Sequence, residues 1–207
     1  MDQKKAMIAM SGGVDSSVAA FLMQKEGFDC CGGTLFLCDE ALTGACTPSP
    51  ADDARLVAER LGIPFYTRDI REALEEHVCA PFAEGYLRGE TPSPCVLCNR
   101  AVKFAELLSA ADELGAEAIA TGHYARSEGG RLYKGRLPND QSYMLCRLLR
   151  EQAERLLLPL GPFEKKEVRA MAAQWGLSSA ACADSMEICF IPDGDYAAYI
   201  ERRGETP

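Results

Sequence analysis

The chain has 207 residues, 47% of them hydrophobic and 26% charged, which is enough to bury a core without disulfides or metals. Its net charge of −9 argues against general nucleic-acid binding, because phosphate contacts need Lys and Arg, but it is compatible with a local basic patch. There is no apolar run of membrane-spanning length, and the first residues lack a signal-peptide core. We therefore expect a cytoplasmic protein with no membrane partner.

Cysteine is frequent, with ten residues in the chain. The chain is larger than the secreted miniproteins in which such counts indicate disulfides. Free cysteine is often a small core residue. Those expected to be structural lie in or beside apolar or helical segments: Cys30, Cys31, Cys38, Cys79 and Cys146. The neighbours of Cys95, Cys98 and Cys189 point to chemistry instead.

The first half of the chain alternates apolar strands with amphipathic helices. Strands are predicted at 6–10, 33–37, 63–67 and 118–121, and helices at 14–25, 54–61, 72–87 and 102–114. Pro81 should kink or divide the third of these helices. This alternation predicts an α/β fold, with a Rossmann-like parallel sheet and helices on both faces.

After Tyr124 the pattern changes. Gly129 and Gly130 predict a hairpin turn, and helices are predicted at 151–157 and 164–175. We expect one domain at 1–160, followed at 161–207 by a small, mainly helical extension that begins a second domain.

Between Arg126 and Arg150, six basic residues stand against the two acids Glu128 and Asp140. A solvated hairpin and helix face explains this pattern as well as a local nucleic-acid patch does.

The segment Ser11–Ser17, Ser-Gly-Gly-Val-Asp-Ser-Ser, lies between a predicted strand and a predicted helix. Two glycines allow the backbone to approach an anion, the helix start offers unpaired N–H groups, and Asp15 is placed to hold Mg²⁺. The segment is neither a Walker A loop nor a dinucleotide fingerprint. A plain N-capped helix is the alternative, but the particular string after a buried strand favours a phosphate loop.

The pair Cys95 and Cys98 follows a Pro-rich stretch and opens the helix predicted at 102–114. A thiol at a helix N-terminus beside Arg100 has a stabilised thiolate, which suits a nucleophile or a sulfur carrier. Half of a zinc site and a redox disulfide are the alternatives. Taken alone, the segment around Cys189, 188–191, predicts a buried strand with a core cysteine.

Five motifs occur in the order found in tRNA-specific 2-thiouridylases, which the chain resembles over essentially its whole length. The first matches the PP-loop of the ATP-pyrophosphatase superfamily. The motifs lie at 11–17, 91–104, 121–126, 140–143 and 184–191.

The resemblance implies a role for each matching residue. The implied ATP site consists of Ala9, Met10, Ser11, Gly12, Gly13, Val14, Asp15, Ser16, Ser17, Leu35 and Gly122. The implied tRNA contacts are Ser93, Pro94 and Cys95 at the target base, and Asn139, Asp140 and Gln141 elsewhere. Cys98 matches the first catalytic cysteine, and Cys189 matches the cysteine that carries a persulfide.

The implied reaction is ATP-dependent thiolation of a tRNA wobble uridine at C2, through an adenylate and with Mg²⁺. A sulfur donor protein, a cysteine desulfurase or a sulfur relay, loads Cys189, and Cys98 resolves the bond and leaves a disulfide. In a rival mechanism, Cys95, Cys98 and Cys189 hold an iron–sulfur cluster with one open iron. His123 either positions phosphate or base, or is structural.

Two hypotheses of other kinds stay open. The resembled family continues into a further small domain and a C-terminal β-barrel, before which this chain ends, and it usually has Lys where Asn139 stands. A short relative that adenylates and thiolates or ligates a small molecule is the first alternative. A non-enzymatic nucleotide- or sulfur-binding module is the second, against which the joint presence of the loop, Cys98 and Cys189 argues.

Overall fold

The computed structural model describes residues 3–37, 50–177 and 188–203. Cys38, residues 39–49 of an irregular loop that the sequence predicts from 39 to 50, and residues 184–187 of the last motif lie outside the described residues. In the three described ranges there is no helix long and apolar enough to cross a membrane.

Within the described residues, seven strands form two sheets. They are β1 (Lys5–Ala9), β2 (Asp29–Phe36), β3 (Phe65–Asp69), β4 (Ala118–Ala120), β5 (Ala125–Glu128), β6 (Arg131–Lys134) and β7 (Leu156–Leu157). The central sheet is parallel, with strand order β3-β2-β1-β4-β7. In its register, Met7 of β1 lies between Cys31 of β2 and Ile119 of β4. Strands β5 and β6 form a separate antiparallel hairpin, which Gly129 and Gly130 close.

The helices connect the strands and cover the sheet. They are α1 (Val14–Lys25), α2 (Pro50–Leu61), α3 (Arg71–Leu74), α4 (Ala80–Leu87), α5 (Pro94–Cys98), α6 (Phe104–Glu113), α7 (Arg150–Glu154), α8 (Lys165–Gln174) and α9 (Tyr196–Arg202). A π-helical turn, Glu75–Cys79, joins α3 to α4, and a second, Asn99–Lys103, joins α5 to α6. A 3₁₀ turn covers Ser142–Leu145.

Alternating side chains of β1 divide the core into two layers. Ile8 packs with Met23 of α1 and Val57 of α2, whereas Met7 packs with Leu107 of α6 on the opposite face. Successive side chains of a strand point to opposite faces, so a strand that is apolar at every position must be covered on both. The predicted parallel sheet with helices on both faces is confirmed.

Three local predictions need correction. The helix predicted at 151–157 ends at Glu154, because the backbone of Leu156–Leu157 pairs with β4 and forms the edge strand β7. The segment 188–191 is a turn and not a buried strand, and Cys189 is exposed. Strand β2 begins four residues before the predicted 33, at Asp29.

The predicted helical extension packs against the sheet domain. Val168 and Ala172 of α8 share a buried cluster with Val18 of α1, and the rings of Phe21 and Trp175 stack 3.7 Å apart. These contacts bring the N-terminus of α8 close to the N-terminus of α1. The domain boundary predicted near 160 stays a prediction.

Candidate nucleotide and thiol site

The loop Ser11–Ser17 lies where the strand order of the sheet reverses. The chain adds β2 and β3 on one side of β1, and β4 and β7 on the other. In open α/β sheets, ligands bind at the carboxyl ends of the strands at such a point. Gly12 has a φ of 77°, which glycine adopts readily, and Gly13 precedes α1 as its N-cap. The loop therefore turns sharply from β1 into the helix.

Serine hydroxyls hold the loop in shape. The Ser11 N–H donates to Ser16 Oγ at 3.1 Å, while Ser16 Oγ and Ser17 Oγ donate to the Gly13 carbonyl at 3.1 and 2.8 Å. Ser16 and Ser17 are buried, and Ser11 is exposed. Two of the three serines that the resemblance places in the ATP site thus brace the loop, and Ser11 lies at its surface.

The other residues predicted for the ATP site lie at the same edge. The Met10 N–H donates to the Gly33 carbonyl at 2.9 Å, and the half-buried Leu35 and Ala9 are at the carboxyl ends of β2 and β1. Gly122 follows β4, and a Cβ placed on it would lie 2.9 Å from both Asp15 C and Ser16 N. The structure brings all these residues together, and only glycine fits at position 122.

Both carboxylate oxygens of Asp15 have protein partners. The Tyr124 hydroxyl donates to Oδ1 at 2.7 Å, and Lys165 Nζ of α8 donates to Oδ2 at 2.7 Å. The predicted magnesium ligand is therefore part of a cluster with a tyrosine and a lysine. Neither partner was assigned a role from the sequence.

The three cysteines singled out from the sequence lie in one neighbourhood around Lys103. Cys98, the last residue of α5, is buried, Cys95 is half-buried, and Cys189 is exposed. Burial raises the pKa of the Cys98 thiol to about 11, Lys103 opposes that rise, and Cys189 and Cys95 add to it. Cys189 is exposed as a residue, but the protein atoms around its sulfur restrict the approach of water and raise the pKa of the thiol, again against the effect of Lys103. Both thiols are therefore largely protonated at neutral pH.

The cation beside the thiols is Lys103, whereas Arg100 was predicted. Burial disfavours the charged form of Lys103, but the thiolate forms of the three cysteines outweigh that effect and raise the pKa of the ammonium group. Cys98 lies a full turn inside the helical stretch that starts at Pro94, beyond the first turn where a helix dipole acts most strongly. Lys103 belongs to the second motif but had no assigned role.

His123 connects the thiol neighbourhood with the phosphate loop. It follows Gly122, and its Nδ1 lies 2.8 Å from the Thr121 hydroxyl. Its ring centroid lies 6.3 Å from that of Phe104. Burial, and secondarily Lys103, lowers the pKa of His123 to about 4. The imidazole is neutral at physiological pH and does not serve as a phosphate-binding cation there.

The predicted tRNA-contacting residues fall into two groups. Ser93 is exposed, Pro94 is buried, and both lie with Cys95 at the start of α5. Asp140 Oδ1 accepts from the Gly135 N–H at 2.7 Å, and Gln141 Oε1 accepts from the Tyr124 N–H at 3.0 Å. Asn139 Oδ1 lies 3.4 Å from the Lys165 N–H. These three polar side chains shape the backbone between β6 and the 3₁₀ turn.

No group of three or more His, Cys, Asp or Glu side chains within 3–37, 50–177 and 188–203 is arranged to hold a metal ion. Three thiols suit an iron–sulfur cluster by their chemistry. Their arrangement in the described residues does not form a preassembled ligand set for one.

The fold and the site define an α/β domain with a parallel sheet, a glycine-containing loop between β1 and α1, and a neighbourhood of three thiols. The model of the family described as "tRNA methyl transferase HUP domain" matches residues 4–193, and the chain belongs to that family.

Among known proteins, the tRNA-specific 2-thiouridylase MnmA of Sorangium cellulosum is 51% identical to the chain over 209 residues, which are 96% of this chain and 54% of the relative. The chain spans little more than half the length of the curated relatives it matches.

Two solved structures share the fold at low sequence identity. The U34-tRNA thiolase NcsA of Methanococcus maripaludis, solved with its 4Fe-4S cluster, has a TM-score of 0.57 at 17% identity, over 97% of this chain and 64% of that one. A 4-thiouridine synthetase, solved with RNA and ATP, has a TM-score of 0.57 at 18% identity, over 97% of this chain and 50% of that one. At these identities the likeness concerns the fold alone.

Proposed function

We propose that the chain uses ATP to activate C2 of a tRNA wobble uridine and exchanges its oxygen for sulfur through Cys189 and Cys98. One observation carries this proposal: the phosphate loop and the thiols are joined by adjacent residues. Gly122 contacts the loop, His123 follows it, and Lys103 acts on both His123 and Cys98. A uridine bound between them would meet both reactive centres.

The loop accounts for the activation step. The C2 carbonyl oxygen of uridine is a poor leaving group. Its attack on the α-phosphate of ATP, with departure of pyrophosphate, converts it into an adenylate, from which it can leave with AMP. The backbone N–H groups at the start of α1 and the exposed Ser11 hydroxyl are placed to stabilise the negative charge on the phosphates. Mg²⁺ would accompany ATP, with the Asp15 carboxylate as a candidate ligand.

The thiols account for the transfer step. A persulfide on Cys189 attacks C2 through its terminal sulfur, and AMP leaves with the uridine oxygen. The Cys98 thiolate then attacks the Cys189 sulfur, which breaks the sulfur–sulfur bond, leaves sulfur on C2 and forms a Cys98–Cys189 disulfide. A thiol reductant restores both cysteines, and a sulfur donor protein reloads Cys189. Lys103 lowers the cost of forming each thiolate.

An iron–sulfur cluster on Cys95, Cys98 and Cys189 is the alternative carrier, in which the open iron would bind the transferred sulfur. We derive no step through it, because the described residues lack a preassembled ligand set. Iron and acid-labile sulfide in anaerobically purified protein, both lost in Cys95→Ala, would favour the cluster over the persulfide.

For the nucleic-acid partner, the hairpin and the turn after it offer a surface of suitable chemistry. Lys134 and Arg147 are exposed there, as are the large apolar side chains of Leu137 and Tyr143. Cations contact phosphates, and an exposed aromatic ring can stack on an unpaired base. The compartment that we assign to the protein is the cytoplasm, whose reducing conditions keep cysteine thiols available for sulfur transfer.

The thiols favour sulfur transfer over the methyl transfer that the family's description names.

The product distinguishes the tRNA hypothesis from the small-molecule hypothesis, because only the tRNA hypothesis predicts 2-thiouridine in tRNA. The anaerobic chain would be incubated with bulk tRNA, Mg-ATP, and a cysteine desulfurase with cysteine as persulfide donor, and nucleosides from digested tRNA measured by mass spectrometry. We expect 2-thiouridine from the wild type and from Cys146→Ala, a control at an exposed thiol, but none from Cys98→Ala or Cys189→Ala. ATP cleavage to AMP and pyrophosphate only with small molecules would contradict the tRNA assignment.

A further inference from the structure

Lys165 reaches the phosphate loop from the far end of the sequence. Its Nζ lies 2.7 Å from Asp15 Oδ2, although 150 positions separate the two residues along the chain. Its side chain is only 17% exposed, and that of Asp15 is 28% exposed. The ammonium group also lies 5.8 Å from the centre of the Tyr124 ring. A lysine in this position is part of the loop's environment and is not a solvated surface charge.

The loop itself contains no cation. Its seven residues are two glycines, one valine, three serines and an aspartate, so its own side chains carry only negative charge. Backbone N–H groups and the helix dipole offset only part of the charge of a triphosphate or a departing pyrophosphate. Other phosphate loops place a lysine within the motif for this purpose. Here the cation must come from outside the loop.

The fold fixes Lys165 at the loop through contacts on both sides. Its backbone N–H lies 3.4 Å from Asn139 Oδ1, and it is the first residue of α8, whose Val168 packs into the cluster shared with α1. The Tyr124 hydroxyl holds the other oxygen of Asp15 at 2.7 Å. The lysine therefore cannot move far from the loop without unpacking α8.

We propose that Lys165 is the phosphate-binding cation of the loop and contacts the β- and γ-phosphates of ATP and then the departing pyrophosphate. This inference rests on the proposed use of ATP. Without nucleotide, the Asp15 carboxylate holds the ammonium group in position. With nucleotide, the phosphate oxygens take over one or more of its N–H donors, and Asp15 is released toward the metal. Lys165 thus acts on the leaving group, and not on the sulfur chemistry.

The neighbouring Lys166 provides a matched control. Its side chain is 80% exposed and pairs with Glu164 at 2.8 Å, so it has the same charge but points away from the loop. Lys165→Met keeps the apolar stem that lies against Tyr124, and Lys165→Arg keeps the charge. The double variant Asp15→Asn/Lys165→Met removes both charges and tests whether the lysine merely neutralises the aspartate.

Calorimetric titration of magnesium-free pyrophosphate, and of ATP and AMP with Mg²⁺, would test the inference, with thermal unfolding as a check that each variant is folded. We expect Lys165→Met and the double variant to bind pyrophosphate and ATP at least about tenfold more weakly, with AMP affinity nearly unchanged. Lys165→Arg should retain most of the affinity, and Lys166→Met all of it.

Two results would overturn this inference but leave the proposed function intact, provided that the wild type still binds ATP. The first is wild-type pyrophosphate affinity in Lys165→Met. The second is recovery of that affinity in the double variant, which would mean that Lys165 only offsets Asp15. A wild-type chain that binds neither ATP nor pyrophosphate would contradict the proposed function itself.

Discussion

Gly122 lies so close to the backbone of Asp15 that a single added methyl group would be 2.9 Å from the Asp15 carbonyl carbon. The residue after β4 is thereby pressed against the first turn of α1. This contact links the phosphate loop, which follows β1, to the end of β4, at the place where the strand order of the sheet reverses. It also makes the loop sensitive to small changes that are remote in sequence.

Gly122→Ala should displace the loop. Gly122 does not have a positive φ, so the new methyl group acts through its contacts and not through the backbone conformation. Overpacking of this kind typically costs about 1–3 kcal/mol of folding stability. We expect that loss in urea denaturation, together with at least about tenfold weaker ATP binding in calorimetry. An alanine variant that binds ATP like the wild type would show that the loop is not held by this contact.

His123 should make stability fall on acidification. Its pKa is about 4 in the folded chain against an ordinary 6.5, so between these values the unfolded state binds more protons. The contribution of His123 to stability is complete above about pH 6.5 and is lost as the pH falls toward 4, by about 3 kcal/mol. His123→Asn should remove this part of the slope in denaturation measured across that range. His77→Asn, at the exposed second histidine, should not.

Lys103 should control the reactivity of Cys98. Because the ammonium group opposes the burial that raises the Cys98 pKa, Lys103→Met should raise that pKa further. Alkylation of Cys98 by iodoacetamide, followed by mass spectrometry at pH 8 to 9.5, should slow by about three- to tenfold. Arg100→Met is the control and should leave the rate unchanged. Equal slowing in both variants would point to a general loss of packing.

Asn99 should contribute to stability without a role in nucleotide binding. Its side chain is buried, and Nδ2 donates to the Met144 carbonyl at 3.0 Å, which joins the helical stretch of the cysteines to the 3₁₀ turn. Asn99→Ala leaves that carbonyl without its donor and should cost about 1–3 kcal/mol in urea denaturation. Its ATP affinity should match the wild type, and a parallel loss of ATP binding would contradict this separation.

Features encoded in contiguous residues were predictable from the sequence. The helix predicted at 14–25 is α1 with the same bounds, and the phosphate loop lies between β1 and α1 as its residue pattern indicated. Strand β7 was not predicted, because two residues are too short to show a period and its pairing with β4 is non-local. The expected strand around Cys189 was wrong for a related reason, since four apolar residues fit a partly buried turn equally well.

The charges around the site were less predictable than its nucleophiles. The sequence placed Arg100 beside the thiols because it is adjacent to them, but the helical path from Cys98 directs Lys103 there instead. Lys165 gave no local signal, since only the packing of α8 on α1 brings it to Asp15. Partners that are distant in sequence are set by tertiary packing, which local patterns do not encode.

The fate of the uridine oxygen tests the central claim most directly. A tRNA anticodon stem-loop with heavy oxygen at C2 of the target uridine would be thiolated by the chain with Mg-ATP and a cysteine desulfurase that supplies persulfide sulfur from cysteine, and the AMP analysed by mass spectrometry. Activation as an adenylate predicts one heavy oxygen in AMP for each 2-thiouridine formed. AMP without the label, alongside 2-thiouridine, would show that sulfur enters without adenylation at C2 and would contradict the account.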